Sequence, residues 1–260
     1  MKFRFGRIWL DALTFRDAVE KIGLILSSGK PSAVSVMNLR TIGISLKNKN
    51  YARLINGTSL RVTDGMPLVW AGKMAGIKNM ERITGPDLFM ELSNPRYGFN
   101  HFFLGDTTQT LHNLTGRIQS ISPGTKICGY YSPPFRELSE EDMVHISKSV
   151  NQSDPDIIWV SLGSPKQDFF SARLLQHINR GVLINVGAAF RFYLGEYNHP
   201  NPFFQKIGLE GIFWRFRKNP FREFIWYIKH IPLLLYLLAE LLFNRHKNIT
   251  PRERYESSSS

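Results

Sequence analysis

An aspartate directly follows a short predicted strand in the first third of the sequence. Residues 60–63 form a strand-like run that stops at Asp64-Gly65, and Pro67 marks the first turn of a helix. In open α/β sheets, the loops at the carboxyl ends of the strands form the ligand crevice. Because Met66 takes the cap position before Pro67, Asp64 lies outside the helix. Its position therefore favours a chemical role, with an aspartate turn held by its own backbone as the structural alternative.

Two further stretches carry positive charge that could hold an anion. Arg82 follows the helix behind that aspartate, and Lys166 follows another apolar strand. The run Ser164-Pro165-Lys166-Gln167 has the pattern of a capping box, in which the Gln167 side chain returns to the cap N–H. In the functional interpretation, Lys166 and the first N–H groups of the helix bind a diphosphate. The pattern alone leaves both interpretations open.

These residues need a scaffold that brings strand ends together, and the alternation of strand and helix signals predicts one. The predicted strands are residues 3–10, 32–37, 60–63, 100–104, 126–130, 156–162 and 182–186. They are continuously apolar, as in a parallel sheet covered by helices on both faces. We therefore predict an α/β fold with a Rossmann-like, open, mostly parallel, doubly wound sheet. The residues that this fold collects at one edge are Asn38, Asp64, Gly105, Asp106, Ser132, residues 163–167 and Gly187.

Composition limits the partners and the compartment. The 260 residues include 33 basic and 21 acidic ones, a net charge of +12. Such a charge indicates nucleic acid, a membrane surface or a phosphorylated substrate as partner. The single cysteine, Cys128, excludes an internal disulfide framework and is typical of the reducing cytosol. The first residues lack the apolar run and cleavage site of a secretory signal, so none is predicted.

The C-terminal part differs in character from the rest, so we divide the chain into an α/β catalytic core (1–195), a helical appendage (196–256) and a disordered tail (257–260). Residues 192–243 hold 14 of the 33 aromatic residues, and residues 205–247 hold eight Lys or Arg against three Glu.

The longest predicted helix of the appendage begins at Pro220 and ends near Phe243, with a kink at Pro232. Its charges argue against a membrane span, since each central one costs about 2.5–3.5 kcal/mol. We predict a basic amphipathic segment that lies on an anionic membrane and closes the site. A helix pair packed against the domain is the alternative. The aliphatic run at the end of this segment argues against nucleic acid as the partner of the appendage.

Other site types find little support. The seven histidines are scattered, and Asp154-Pro155-Asp156 precedes its strand, so no metal site is predicted. No Gly-x-Gly-x-x-Gly follows the first strand, which argues against a nucleotide-dependent oxidoreductase.

Several spaced motifs resemble the WecG/TagA/CpsF family of bacterial glycosyltransferases over residues 5–227. They are Asn38 after the second strand, Thr63-Asp64-Gly65 with its hydrophobic helix, residues 81–88, residues 160–168, residues 185–190 and Gly208-Leu209-Glu210. The resemblance implies transfer of a sugar from a UDP-sugar donor to a polyprenyl-diphosphate-linked sugar acceptor. It also implies inversion at the anomeric carbon, and a peripheral or monotopic protein on the cytoplasmic face of the bacterial inner membrane.

The resemblance also implies roles for individual residues. Asp64 matches the general base, Asn38, Arg82 and Gln167 match residues that line the substrate pocket, and Arg215 and Arg222 match arginines of the appendage that close over the donor diphosphate. Together with Gly163, Lys166 and Gly187 from the strand ends, these residues form the predicted site. We expect no cofactor and no metal, because cations take the place of a metal at the diphosphate.

The chain departs from the family pattern at three places, which leaves the donor sugar open among glucose, N-acetylmannosamine and its uronic acid. Val36 replaces a threonine, Arg191 replaces an acidic residue, and residues 199–202 replace an Arg-Ala-Pro run. The alternative from another class is a non-catalytic membrane-surface module that binds a nucleotide sugar or a phospholipid. Assembly into a homo-oligomer is also left open.

Overall fold

The computed structural model of the chain describes residues 1–196 and 220–250, without the side chains of residues 220, 222–230, 233, 245 and 246. Its strands are β1 (Lys2–Phe5), β2 (Ile8–Asp11), β3 (Ser32–Met37), β4 (Leu60–Thr63), β5 (Asn100–Gly105), β6 (Lys126–Tyr131), β7 (Ile157–Ser161), β8 (Val182–Asn185) and β9 (Ile249–Thr250). Its helices are α1 (Phe15–Ser27), α2 (Leu39–Lys47), α3 (Lys49–Asn56), α4 (Met66–Met74), α5 (Gly85–Leu92), α6 (Thr108–Ile121), α7 (Glu140–Ser153), α8 (Lys166–Leu174), α9 (Ala189–Tyr193), α10 (Pro220–Phe243) and α11 (Arg245–Asn248).

A six-stranded sheet forms the centre of the protein. Its strand order is β4-β3-β8-β7-β5-β6, and every neighbouring pair is parallel. Helices α1, α5, α6 and α9 pack on one face, and α7 and α8 pack on the other. Successive side chains of β7 pack on opposite faces of the sheet. Trp159 packs with the helices of the first face, and Ile158 and Val160 pack with those of the second. The predicted doubly wound α/β fold is confirmed.

The predicted first strand, residues 3–10, is wrong in its extent and in its partner. It consists of β1 and β2, which form an antiparallel hairpin with Phe5 opposite Ile8. Gly6 lies between them with φ +62, a conformation that glycine adopts at little cost in a two-residue hairpin loop. The hairpin belongs to a separate sheet of order β2-β1-β9. The turn was missed because its main signal in the sequence is a single glycine within a strand-like run.

The second half of α10 is part of the folded core. Leu237 and Leu241 are buried in one cluster with Phe3 and Phe5 of the hairpin. Glu240 pairs with Arg4 at 3.5 Å, and β9 extends the hairpin sheet beyond the helix. This half of the helix therefore packs against the domain, as the alternative interpretation of the appendage predicted. Residues 197–219 of the appendage, which include Arg215, lie outside the described residues.

The helix α10 runs without interruption through Pro232. Among the described residues, no helix combines the length and the apolar character that crossing a bilayer requires.

A buried histidine in β5 gives the first prediction. His101 is buried, and its Nδ1 accepts a hydrogen bond from Trp159 Nε1 at 3.1 Å. Burial lowers the pKa of His101 from 6.5 to about 4, against a smaller opposing effect of Asp156. Between these values the unfolded chain binds more protons than the folded protein, so stability falls as the pH is lowered. At 1.36 kcal/mol per pKa unit, the loss is about 3 kcal/mol.

His101→Asn keeps an acceptor for the indole and removes the titrating ring, so it should flatten the dependence of unfolding free energy on pH between 6.5 and 4. Urea unfolding at a series of pH values measures this slope. His112→Asn, a change at an exposed histidine of α6, should retain the wild-type slope. An unchanged slope in His101→Asn would contradict the assignment.

Candidate active site

Asp64 and Asn38 lie side by side at the carboxyl edge of the sheet. Met37 pairs with Thr63 across β3 and β4, and the Asp64 N–H donates to the Met37 carbonyl at 2.7 Å. A methyl group placed on Gly65 would lie 3.8 Å from Asn38 Cβ. Asp64 is half-buried. The predicted proximity of these two strand ends is therefore confirmed.

The backbone at Arg82 is fastened to the end of the same strand. The Ile83 N–H donates to the Thr63 carbonyl at 2.8 Å, and the Thr63 hydroxyl donates to the Glu81 carbonyl at 3.2 Å. Since both neighbours of Arg82 bind Thr63, Arg82 lies alongside the residue that precedes Asp64. An aspartate and an arginine 18 residues apart in sequence thus flank one strand end.

The start of α5 packs closely against the residue that follows β8. Thr84 caps this helix, with its side chain accepting from the Asp87 N–H at 3.1 Å. A Cβ on Gly85 would lie 2.7 Å from the Val186 carbonyl oxygen, so only glycine permits this approach. Gly187 follows with φ +60. The loop that carries Arg82 is thereby held next to the loop that carries Gly187.

Gln167 joins two neighbouring loops, and the capping-box interpretation is wrong. The helix α8 begins at Lys166 with Pro165 in the cap position, so Ser164 precedes the cap. Gln167 Oε1 accepts from the N–H groups of Gly163 and Gly187, each at 3.1 Å, and Nε2 donates to Ser164 Oγ at 3.2 Å. Its side chain is 3% exposed. Gln167 thus fixes the distance between two predicted site glycines.

The strand-end residues that these contacts bring together are Asn38, Asp64, Arg82, Gly163 and Gly187, and we call them the rim. Asn38 caps α2, because its Oδ1 accepts from the N–H groups of Arg40 at 3.0 Å and Thr41 at 3.2 Å. Its amide Nδ2, a donor, is not used by the cap. Asp64 lies two residues before α4, so it is outside the helix as predicted, but the cap is Gly65 and the predicted cap Met66 is wrong.

The remaining predicted site residues differ in how far the structure describes them. Gly163 of the rim is exposed, and Lys166, the first residue of α8, is exposed beside the rim. Arg222 belongs to α10, but its side chain is not described, and Arg215 lies outside the described residues.

A buried hydrogen-bond network supports the loop at Gly163 from below. Asp168 Oδ2 accepts from the Tyr51 hydroxyl at 2.9 Å, and Oδ1 accepts from Asn185 Nδ2 at 3.0 Å. Ser171 donates to Asn185 Oδ1 at 2.6 Å. Burial raises the pKa of Asp168, and hydrogen bonds from Tyr51, Ser164 and Asn185 oppose part of the rise. The network ties α3, α8 and β8 together.

Sequence reasoning missed this network. Asp168 and Asn185 lie within motif stretches, which could have singled them out as a buried polar pair. Tyr51 carried no signal, because it lies 117 residues from Asp168 on a helix without a motif.

No group of three or more His, Cys, Asp or Glu side chains in ranges 1–196 and 220–250 is arranged to hold a metal ion.

Comparison with known proteins finds several bacterial transferases that are similar to this chain. It is 26% identical over 180 residues to an N-acetylglucosaminyldiphosphoundecaprenol N-acetyl-beta-D-mannosaminyltransferase of Bacillus spizizenii, covering 68% of both chains. It is 24% identical over 217 residues to the protein of that name in Bacillus subtilis, covering 82% of this chain and 79% of the relative. It is also 24% identical over 235 residues to the one in Staphylococcus aureus strain MW2, covering 88% and 89%.

The family comparison covers nearly the whole chain. The sequence model of the glycosyl transferase WecG/TagA/CpsF family matches residues 3–248, from the hairpin to the end of α11. The match includes all rim residues and the appendage up to the residue before β9. The resemblance seen in the motifs is confirmed, and this chain belongs to the WecG/TagA/CpsF family of glycosyltransferases.

Proposed function

We propose that this protein is an inverting glycosyltransferase that uses a UDP-sugar as donor. It moves a hexose or an N-acetylhexosamine to a polyprenyl-diphosphate-linked sugar on the cytoplasmic face of the membrane. The names of its relatives support an acceptor of this class and, as donor sugar, N-acetylmannosamine ahead of its uronic acid or glucose. The product belongs to bacterial surface polysaccharide biosynthesis.

The observation that carries this proposal is the arrangement around the end of β4. Asp64 follows that strand, Arg82 lies alongside its last residue, and Asn38 follows the paired strand. A carboxylate between a cation and an amide donor suits a reaction in which a hydroxyl loses a proton while a diphosphate gains charge. Asp64 is half-buried, so part of its surface faces solvent at this edge of the sheet.

In the proposed step, Asp64 accepts the proton of an acceptor hydroxyl. The hydroxyl oxygen forms a bond to the anomeric carbon of the donor, from the face opposite UDP. The bond between that carbon and the β-phosphate oxygen breaks, and UDP leaves with the bonding electrons. General-base assistance of this kind is typically worth about 10²–10⁴-fold in rate.

The leaving diphosphate needs positive charge, which Arg82 and Lys166 supply from the described part of the chain. Lys166 also begins α8, so its charge adds to that of the helix N-terminus. Arg215 and Arg222 of the appendage complete the set. With this many cations, we propose that the reaction proceeds without a metal ion.

The outward face of α10 supports a membrane location. The inward face of its second half packs on the hairpin through Leu237 and Leu241, while Leu235, Tyr236 and Phe243 are exposed on the other side. Phe243 is 84% exposed. A helix that is apolar on both faces needs a second apolar environment. We propose that this face lies on the anionic membrane that holds the acceptor, parallel to its surface.

Incubation of the purified full chain with a panel of UDP-sugars and a polyprenyl-diphosphate-N-acetylglucosamine acceptor tests the function. We expect UDP release from one donor only when the acceptor is present, a product of inverted anomeric configuration by NMR, and a rate unchanged within twofold by EDTA. Binding of the donors without turnover would instead favour the non-catalytic module, and a retained configuration would refute direct displacement.

A further inference from the structure

An ion pair crosses the carboxyl edge of the sheet beside the rim, and nothing in the mechanism uses it. Arg191 Nε lies 2.8 Å from Asp106 Oδ2, and Arg191 Nη2 lies 2.8 Å from Asp106 Oδ1. This two-point geometry is the strong form of an arginine–carboxylate contact. The Asp106 side chain is 9% exposed and the Arg191 side chain 38%, with Glu196 a further 3.8 Å contact of Arg191 Nη1.

The surroundings hold the Asp106 carboxylate in one orientation. It accepts from the Thr107 N–H at 2.8 Å and from the Thr110 hydroxyl at 3.0 Å, while Ser132 donates to the Asp106 carbonyl at 2.7 Å. Burial raises the pKa of Asp106, but the bonds from Arg191, Thr107 and Thr110 outweigh it and leave the pKa below its usual value. Each carboxylate oxygen already accepts a hydrogen bond from within the protein. We therefore assign Asp106 a structural role at the carboxyl edge of the sheet and not a role in binding substrate.

The pair connects two strand ends that are not neighbours. Asp106 follows β5 and Arg191 lies on α9, which follows β8, and β7 runs between the two strands. The five-residue α9 packs into the core through Ala189 and Phe190. The side chain of Arg191 holds the same helix at the edge, four residues after Gly187, where the turn Gly187-Ala188 begins.

The Gly187 turn is the part of the rim that this fastening controls. Gly187 has φ +60 and donates its N–H to Gln167, and its carbonyl accepts from the Ser161 hydroxyl. Those contacts hold the turn to Ser161, the last residue of β7, and to Gln167 of α8. The ion pair holds α9, the helix that follows the turn, to Asp106 at the end of β5, on the other side of β7. The turn is thus clamped from both directions.

We propose that the Asp106–Arg191 ion pair is a positioning device that fixes the Gly187 turn, and with it the shape of the rim that receives the donor. The proposal rests on the proposed function for its effect on turnover, but the fixing of the turn is measurable without any substrate. Neither residue touches the reacting atoms; both act through Gly187 and α9.

Asp106→Asn, Arg191→Met and the double variant test the device in the full chain. Asparagine tolerates the left-handed conformation of residue 106, φ +58, so Asp106→Asn removes the charge with little change in backbone preference. The matched control is the ion pair of Arg180 with Asp154, whose φ is +45. It lies beside the amino end of β7, at the opposite edge of the sheet, so Asp154→Asn and Arg180→Met make the same chemical changes away from the rim.

Hydrogen exchange of the 187–193 amides is the first measurement. It should speed up at least fivefold in Asp106→Asn and Arg191→Met, and by less than twofold in the Arg180 and Asp154 controls. Unchanged exchange in the first two variants would overturn the device, whether or not the protein proves to be a glycosyltransferase.

Steady-state kinetics with the UDP-sugar found in the donor panel is the second measurement. Each single variant should lower kcat/KM at least tenfold, mainly through a higher KM for the donor. Arg191→Lys should recover part of the loss, because lysine keeps the charge but not the two-point geometry. The double variant should stay within twofold of the worse single one, since either change already breaks the pair. The positioning role would be overturned if the losses of the two single variants multiplied in the double variant, or if kcat/KM of the single variants stayed within twofold of wild type.

Discussion

Asp64→Asn is expected to lower the rate of sugar transfer by about 10²–10⁴-fold, the usual worth of a general base. The substitution keeps the size of the side chain and removes its ability to take a proton. Because Asp64 lies outside α4 and its backbone N–H, not its side chain, makes the contact to Met37, the fold should tolerate it. Initial rates of UDP release at saturating donor and acceptor give the effect.

Thermal unfolding of Asp64→Asn should remain close to that of wild type, which separates lost chemistry from lost structure. Asp154→Asn is the control, an aspartate at the opposite edge of the sheet that should keep normal turnover. Near-normal transfer by Asp64→Asn would show that another group accepts the proton.

Leu235→Glu combined with Phe243→Glu is expected to weaken binding to anionic vesicles by about 10²-fold or more. Burial of one large apolar side chain contributes roughly 1.5–3 kcal/mol, and this variant loses two such contributions. Both residues are exposed on α10, away from Leu237 and Leu241, so the domain should stay folded. Co-sedimentation with phosphatidylglycerol vesicles measures the partition.

The control for this variant is Ile121→Glu with Val144→Glu, which changes two exposed apolar residues on α6 and α7. Those changes should leave vesicle binding as in wild type. Equal binding by the α10 variant and the control would remove α10 from the membrane contact. Truncation before α10 is a poorer test, because it also uncovers Phe3 and Phe5 of the hairpin.

The local patterns were sufficient where a strand ends in a residue that cannot continue it. Thr63-Asp64-Gly65 marks such an end, and the structure brings Asp64 to the carboxyl edge beside Asn38. The helix caps Thr14 and Ser139 are local features of the same kind, and each is present with its capping box. Each of these features depends on contacts within a few residues of the chain, which composition and spacing encode directly.

The patterns were insufficient where a side chain has two possible partners. Gln167 fits a capping box by spacing, yet its Oε1 binds Gly163 and Gly187 because α8 begins one residue later than predicted. The appendage gave the same ambiguity. Its aliphatic end suits lipid or a protein core, and the structure shows a core contact through Leu237 and Leu241.

The sequence by itself determined the class of the fold, the place of Asp64 at a strand end, and the family. Each follows from short-range order, because apolar runs, glycines and spaced motifs are local properties of the chain. Only the tertiary structure decided which of these places meet. Asp106 and Arg191 are 85 residues apart and Tyr51 and Asp168 are 117 apart, so their contacts depend on the order β4-β3-β8-β7-β5-β6. That order is set by how helices pack on both faces of the sheet, which no single stretch of sequence contains.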